Sequence, residues 1–201
     1  TKNAISHITT QGATRIYKMN SNYATQIINL NVDKNCYLEF IPEQLIPYKN
    51  SRYFQKINFN VDKTATLVYS EIIVPGRVAM GELFDYDICY LKSIAMSKQE
   101  ILFNDSCILE PKKQKINLSS VLGNNTVLAS VYVLTKKENI SVLKEKINCY
   151  LEENGEVEGG VSILPNNCGL GIRILSNSSE DTRTTIYQIA KIVRKITFTN
   201  V

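Results

Sequence analysis

Tryptophan is absent from these 201 residues, and histidine occurs once, at His7. A single imidazole cannot build a nickel or zinc cage by itself, and at the start of a strand it reads as a surface or capping residue. Without tryptophan, platforms for stacking sugar rings are scarce. There is no G-x-S-x-G, no P-loop, no G-x-G-x-x-G and no H-E-x-x-H, which removes the commonest sequence signs of hydrolase, nucleotide-binding and metalloprotease chemistry. No run of about 18 apolar residues could span a bilayer as a helix, and no secretory signal is expected. The five cysteines, Cys36, Cys89, Cys107, Cys149 and Cys168, are scattered and lack a C-x-x-C pair. That usage fits a reducing cytoplasm, with neither a disulfide framework nor structural zinc. Charge of one sign is also weak: 23 Lys and Arg against 19 Asp and Glu leave a net +4. With no basic run interleaved with aromatics, nucleic acid is not expected as a partner. The short basic run Lys112-Lys113-Gln114-Lys115 reads as a solvated loop.

What the chain does have is a strand-turn-strand unit written twice. Ile28-Asn29-Leu30-Asn31-Val32-Asp33-Lys34 returns as Ile57-Asn58-Phe59-Asn60-Val61-Asp62-Lys63. Apolar residues alternate with Asn, which is the period of a half-buried strand. Asp-Lys then supplies turn chemistry. Asn35 tolerates a positive φ after its turn better than Thr64 does, so the two turns are expected to differ. Residues 105–110 echo the unit more weakly. Self-similarity at this spacing predicts a stacked, β-helix-like or layered scaffold, whose copies share an apolar face. A duplicated hairpin in an ordinary β-sandwich is the alternative.

The expected organisation is mainly β, as one unit over 1–201. Its β-repeat scaffold covers 1–115, and an α+β portion over 126–201 packs on it. In the latter, residues 126–135 read as a buried strand and 141–154 as a helix striped by Leu143, Ile147 and Leu151. Short strands at 161–164 and 169–175 flank Pro165, and a second helix spans about 179–197. The chain starts at Thr1 with a strand under way, and is expected to be the ordered remainder of a longer protein.

Two clusters attract chemical interest. Glu82, Asp85 and Asp87 could serve glycoside hydrolysis, which needs two placed carboxylates; the polar edge of a strand-loop is the favoured reading. The segment Val74-Pro75-Gly76-Arg77-Val78-Ala79-Met80-Gly81-Glu82 brackets an arginine between glycines. Its guanidinium needs a carboxylate, with Glu71 and Glu82 nearest in sequence.

Gly76-Arg77 with Gly81-Glu82 resembles the G-R-x-x-x-G-E signature of the UreD/UreH urease accessory proteins. In order along the chain, residues 8–17 (Ile-Thr-Thr-Gln-Gly-Ala-Thr-Arg-Ile-Tyr) are similar to that family's T-T-Q strand. Tyr37-Leu38-Glu39-Phe40-Ile41-Pro42-Glu43 resembles its L-E-x-x-P-E stretch. Ser162-Ile163-Leu164-Pro165, Gly169-Leu170 and Arg173-Ile174-Leu175 resemble its S-x-L-P…G-L-x-x-R-x-L passage. The Gly-rich opening usual in the family is missing.

The resemblance implies a non-catalytic factor that matures urease with a helical accessory protein of the UreF type and a nickel-carrying GTPase of the UreG type. It implies binding to apo-urease in the cytoplasm and passage of nickel along an internal path, with no tightly bound cofactor. Thr9, Thr10, Gln11, Glu39, Glu71, Gly76, Arg77, Gly81, Glu82 and Arg173 become the partner-binding or nickel-path candidates. Transient nickel contacts are expected at Glu71 and Glu82. A β-solenoid carbohydrate-active enzyme using Glu82 with Asp85 or Asp87 is the alternative function.

Overall fold

Ile28 lies beside Ile57, and every pair from Ala24↔Tyr53 to Val32↔Val61 is in parallel register with the same offset of 29. The duplicated sequence is therefore a structural repeat. The structure is a computed structural model and describes residues 3–97 and 100–199. The expected unit 1–201 thus includes six residues, 1, 2, 98, 99, 200 and 201, that lie outside the described ones.

The strands are β1 (Ile5–Ile8), β2 (Thr14–Ile16), β3 (Ala24–Val32), β4 (Tyr37–Phe40), β5 (Leu45–Pro47), β6 (Arg52–Val61), β7 (Thr66–Ile73), β8 (Ile88–Ser97), β9 (Glu100–Leu109), β10 (Val127–Leu134), β11 (Glu158–Ile163) and β12 (Gly169–Ser176). Two helices, α1 (Lys137–Glu153) and α2 (Ser179–Thr199), complete the chain. One sheet runs β1-β4-β7-β10-β12-β11, with the short β2 and β5 beside it; the other runs β3-β6-β8-β9. From β3 to β4, and again from β6 to β7, the chain crosses from the second sheet to the first, and β1/β4/β7 and β3/β6/β8 stack in parallel. Each Asp-Lys turn is therefore an arch between sheets, which settles the choice in favour of stacked coils over hairpins. The turns differ as expected: Asn35 has φ 57°, whereas Thr64 accepts the Asn35 N–H at 3.0 Å and donates its own N–H to Asp62 Oδ1 at 2.9 Å.

One expectation fails. The echo at 105–110 is not a further coil, because β9 turns back and pairs antiparallel with β8. Three shared residue types were too few to fix strand direction. The third rung comes instead from β7 and β8, where the inserted 75–86 loop lengthens the period.

Three layers result: second sheet, first sheet, helices. Ile57, Phe59, Leu67, Tyr69, Phe103, Tyr132 and Leu134 fill the space between the sheets. Val68, Ile72, Val131, Val133, Ile172 and Ile174 meet the helical residues Leu143, Ile147, Ile186, Ile189 and Val193 on the other side. Strand β7 is buried at all eight positions because it is covered on both faces. β10 pairs antiparallel with β7 and with β12, so the C-terminal strands continue the first sheet. Helix α1 begins earlier than the 141–154 stripe suggested, since Ile140 extends the buried face formed by Leu143, Ile147 and Leu151. No helix of the described residues is long and apolar enough to cross a membrane.

Candidate functional site

The inter-sheet core is apolar at both ends and polar across its middle. Alternation along β7 points Tyr69, Glu71 and Ile73 at the second sheet, and Glu71, Ser130 and Arg173 stand in register on β7, β10 and β12. Facing them, Gln26 is paired with Gln55, and Ser93 with Asp105. Glu71 Oε2 accepts from Gln55 Nε2 at 2.9 Å and from the Tyr69 hydroxyl at 3.2 Å. The Tyr53 hydroxyl continues the row by donating to Gln26 Oε1 at 2.5 Å. At the other end the Asp105 carboxylate pairs with Arg173 and accepts from the Tyr132 hydroxyl at 2.8 Å. A cavity of about 50 Å³ beside Glu71 is also lined by Thr10, Gln26, Glu43 and Gln55.

Burial pushes the Glu71 carboxyl up to about 7, against the opposing pull of the Tyr69 hydroxyl and the Arg173 charge. Burial also raises the Asp105 carboxyl, but the Arg173 charge and the Tyr132 hydrogen bond outweigh it and hold it below its ordinary value. The row therefore holds one carboxylate that exchanges a proton near neutrality and one that stays ionised.

Glu39 lies on the same sheet but faces the helices, and only 1% of it is exposed. It receives Arg194 Nε at 2.5 Å and Nη2 at 3.0 Å, the Tyr37 hydroxyl at 2.5 Å, and lies 2.7 Å from His7 Nδ1. Burial pushes this carboxyl up, yet the bonds from Arg194, Tyr37 and His7 bring it below the ordinary range. The cluster ties β1, β4 and α2 together.

The Gly-Arg…Gly-Glu segment closes on itself. Arg77 grips Glu82 with two parallel bonds, Nε to Oε2 at 2.9 Å and Nη2 to Oε1. Its partner is thus Glu82, not Glu71. The Lys49 backbone N–H adds a third bond to Glu82 Oε2 at 3.2 Å, and the guanidinium lies over the Tyr48 ring at 4.1 Å. The Arg77 bond holds the Glu82 carboxyl below its ordinary value. Gly76 has φ 139°, and a Cβ there would sit 2.9 Å from the Glu82 carbonyl oxygen. Gly81 takes the left-handed conformation that ends the short turn Val78–Met80.

These positions divide the candidates. Thr10 and Glu71 line one cavity between the sheets, and Arg173 stands in register with Glu71 two strands away. Glu39 is on the opposite face. Gly76, Arg77, Gly81 and Glu82 form a separate loop. Thr9 and Gln11 are exposed, and Thr10 Oγ1 accepts the Glu43 N–H at 2.9 Å. The alternative built on Glu82 with Asp85 or Asp87 needs a carboxyl that keeps its proton. Glu82 is paired with Arg77, and Asp87 with Lys112 and Arg52, which lowers both. Sequence reasoning missed Gln55, Asp105, Tyr132 and Arg194. A signal existed for the first two: each is a polar residue that interrupts the apolar inward face of its strand, as Glu71 does on β7. Among the described residues, no group of three or more His, Cys, Asp and Glu side chains is placed to hold a metal ion.

Comparison with known proteins agrees with the family resemblance of the sequence. The sequence model of the family described as UreD urease accessory protein matches residues 1–200. Among curated relatives, the urease accessory protein UreD of Cenarchaeum symbiosum is 39% identical over 95% of this chain and 67% of its own length. UreD of Yersinia enterocolitica is 34% identical over 96% of this chain and 62% of its own, and UreD 2 of Brucella canis 35% over 94% and 64%. This chain spans about two thirds of the length of those relatives. On this footing the chain belongs to the UreD family of urease accessory proteins.

Proposed function

We propose that this protein is a non-catalytic scaffold of urease maturation in the cytoplasm. It binds apo-urease together with a helical accessory protein and a nickel-carrying GTPase, and lets nickel pass between its two sheets. The observation that carries this reading is the polar row from Gln26 through Gln55 and Glu71 to Asp105 and Arg173, set across an otherwise apolar core. Buried polar groups are costly unless they are satisfied, and here they are gathered into one row between the sheets. Its oxygen donors stand singly or in pairs. Such donors hold a divalent cation weakly compared with a cage of imidazoles and thiolates, and delivery requires release. Nickel is cargo here, met in passing at Glu71. Glu82, locked to Arg77, is better suited to shaping the outer loop than to touching a metal.

The test is co-purification of the full chain from cells that make urease and its accessory proteins. The helical accessory protein and apo-urease are expected to come down with it in fixed ratio. Recovery of well-folded chain with neither of them would end this reading.

A further inference from the structure

The turn joining β11 to β12 has no task in the polar row, although the sequence singles it out through Leu164-Pro165 and Gly169. Its backbone is costly. Asn166 and Asn167 both take positive φ, 59° and 49°. Asparagine tolerates that region better than most side chains, but two in succession store strain, and such strain collects at functional sites. Gly169 has φ 155°, and a Cβ there would lie 2.0 Å from the Val133 carbonyl oxygen. The turn is thereby pressed onto the end of β10. The Asn166 side-chain amide also fixes it to β9, donating to the Leu102 carbonyl oxygen at 2.9 Å.

The turn walls a cavity of about 550 Å³ at one end of the inter-sheet core. Val61, Ala65, Leu102, Leu134 and Cys168 give it an apolar floor, and none of the polar-row residues lines it among the described residues. A mostly apolar cavity of this size with a few polar groups has the form of a small-molecule site.

Those polar groups select an anion. Lys63 and Lys137 line the cavity, are exposed, and form no ion pair among the described residues. Lys137 opens α1, whose N-terminal end has no side-chain cap, so the helix dipole adds to the same preference. Thr135 is 8% exposed and shares a hydroxyl–hydroxyl bond of 2.9 Å with Thr66. With Thr66 as the donor, the Thr135 proton is left for a ligand oxygen. Two carboxylates oppose an anion. Asp62 is held by the Thr64 N–H at 2.9 Å and by the Thr64 hydroxyl at 2.7 Å, which leaves Glu100 as the repelling charge.

We infer that this cavity binds a small organic carboxylate, with its apolar body on Val61, Ala65 and Leu134 and its charge between Lys63 and Lys137. The inference stands apart from the maturation role, and neither needs the other.

The experiment adds hexanoate, acetate or hexan-1-ol to the full chain and follows alkylation by iodoacetamide at two cysteines. Cys168 lines the cavity, whereas Cys149 is exposed on α1. Saturating hexanoate is expected to slow Cys168 about fivefold or more, because alkylation needs access to the sulfur, and to leave Cys149 unchanged. Acetate, which lacks the apolar body, and hexan-1-ol, which lacks the charge, are each expected to bind about tenfold or more weakly. Lys63→Met and Lys137→Met should weaken hexanoate but not hexan-1-ol, with native melts. Glu100→Gln should tighten hexanoate, a gain of function that lost folding cannot imitate. Unslowed alkylation of Cys168 in hexanoate overturns the inference. Equal protection by hexanoate and hexan-1-ol overturns it too, as does wild-type hexanoate affinity in both lysine variants.

Discussion

Asn58 sits directly above Asn29 on the outer face of the second sheet, its Nδ2 donating to Asn29 Oδ1 at 2.8 Å. Asn60 repeats the contact with Asn31 at 3.3 Å. The two asparagines of each repeat therefore form a ladder on the solvent side, while Ile57, Phe59 and Val61 fill the inner side. Both faces predict the energetics of substitution. Val32→Asp or Val61→Asp would bury an unpaired charge and should cost about 3–5 kcal/mol. Asn31→Ser or Asn60→Ser gives up one exposed hydrogen bond and should cost below about 1 kcal/mol. Urea melts of the four variants check this; similar mild losses in both pairs would contradict the stacked core.

The Gly76–Glu82 ring is sensitive at different positions for different reasons. Gly76→Ala places a methyl group 2.9 Å from the Glu82 carbonyl oxygen and 3.3 Å from that of Pro47, in a backbone region closed to other residues. A loss of about 2 kcal/mol or more is expected. Gly81→Ala meets open space and should cost about 1 kcal/mol for its left-handed backbone alone. Arg77→Lys should keep the charge but lose the two-pronged grip on Glu82, loosening the loop less than Arg77→Ala does. Hydrogen exchange over residues 75–86 reports the order.

Glu71 makes stability depend on pH in an unusual direction. Its folded value, about 7, lies above the ordinary 4.5, so the native state holds a proton that the unfolded state has released. Stability should fall as pH rises from about 4.5 to 7 and then level off, a loss on the order of 3 kcal/mol from this group. Glu71→Gln keeps an acceptor for Gln55 and Tyr69 and removes the charge. It should melt several degrees above wild type at pH 8 and close to it at pH 5. An unchanged difference across that range would show that Glu71 is not desolvated as described.

Glu39 acts with the opposite sign. Its folded value is depressed, so its stabilisation is present above the unfolded carboxyl range and lost as pH falls through its lower folded value. Arg194→Ala strips the strongest partner from a carboxylate that is 1% exposed. A cost of about 2–4 kcal/mol is expected near neutral pH, shrinking in acid as Glu39 takes up a proton. Thermal melts at pH 7 and pH 4 check both halves.

Period-2 alternation and the 29-residue offset made the stacked strands legible before any coordinates, and apolar stripes located both helices. Strand direction after β8 was not legible, since a half-matching string at 105–110 says nothing about parallel or antiparallel pairing. Arg77 was visible through its flanking glycines, but its choice of Glu82 over Glu71 depends on which sheet face Glu71 occupies. Arg194 was hidden because a cation near a helix end already has a reason to be there in the macrodipole. Its bond to Glu39 spans 155 residues of sequence.

Nickel bound per urease should be measured in cells that make the wild-type chain, no chain, or Glu71→Gln, alongside the soluble level and melt of each. Full loading with wild type, near-empty urease without the chain, and a reduced load with folded, abundant Glu71→Gln is the predicted result. Fully loaded urease in cells lacking the chain, or in cells carrying Glu71→Gln at wild-type abundance, would contradict it.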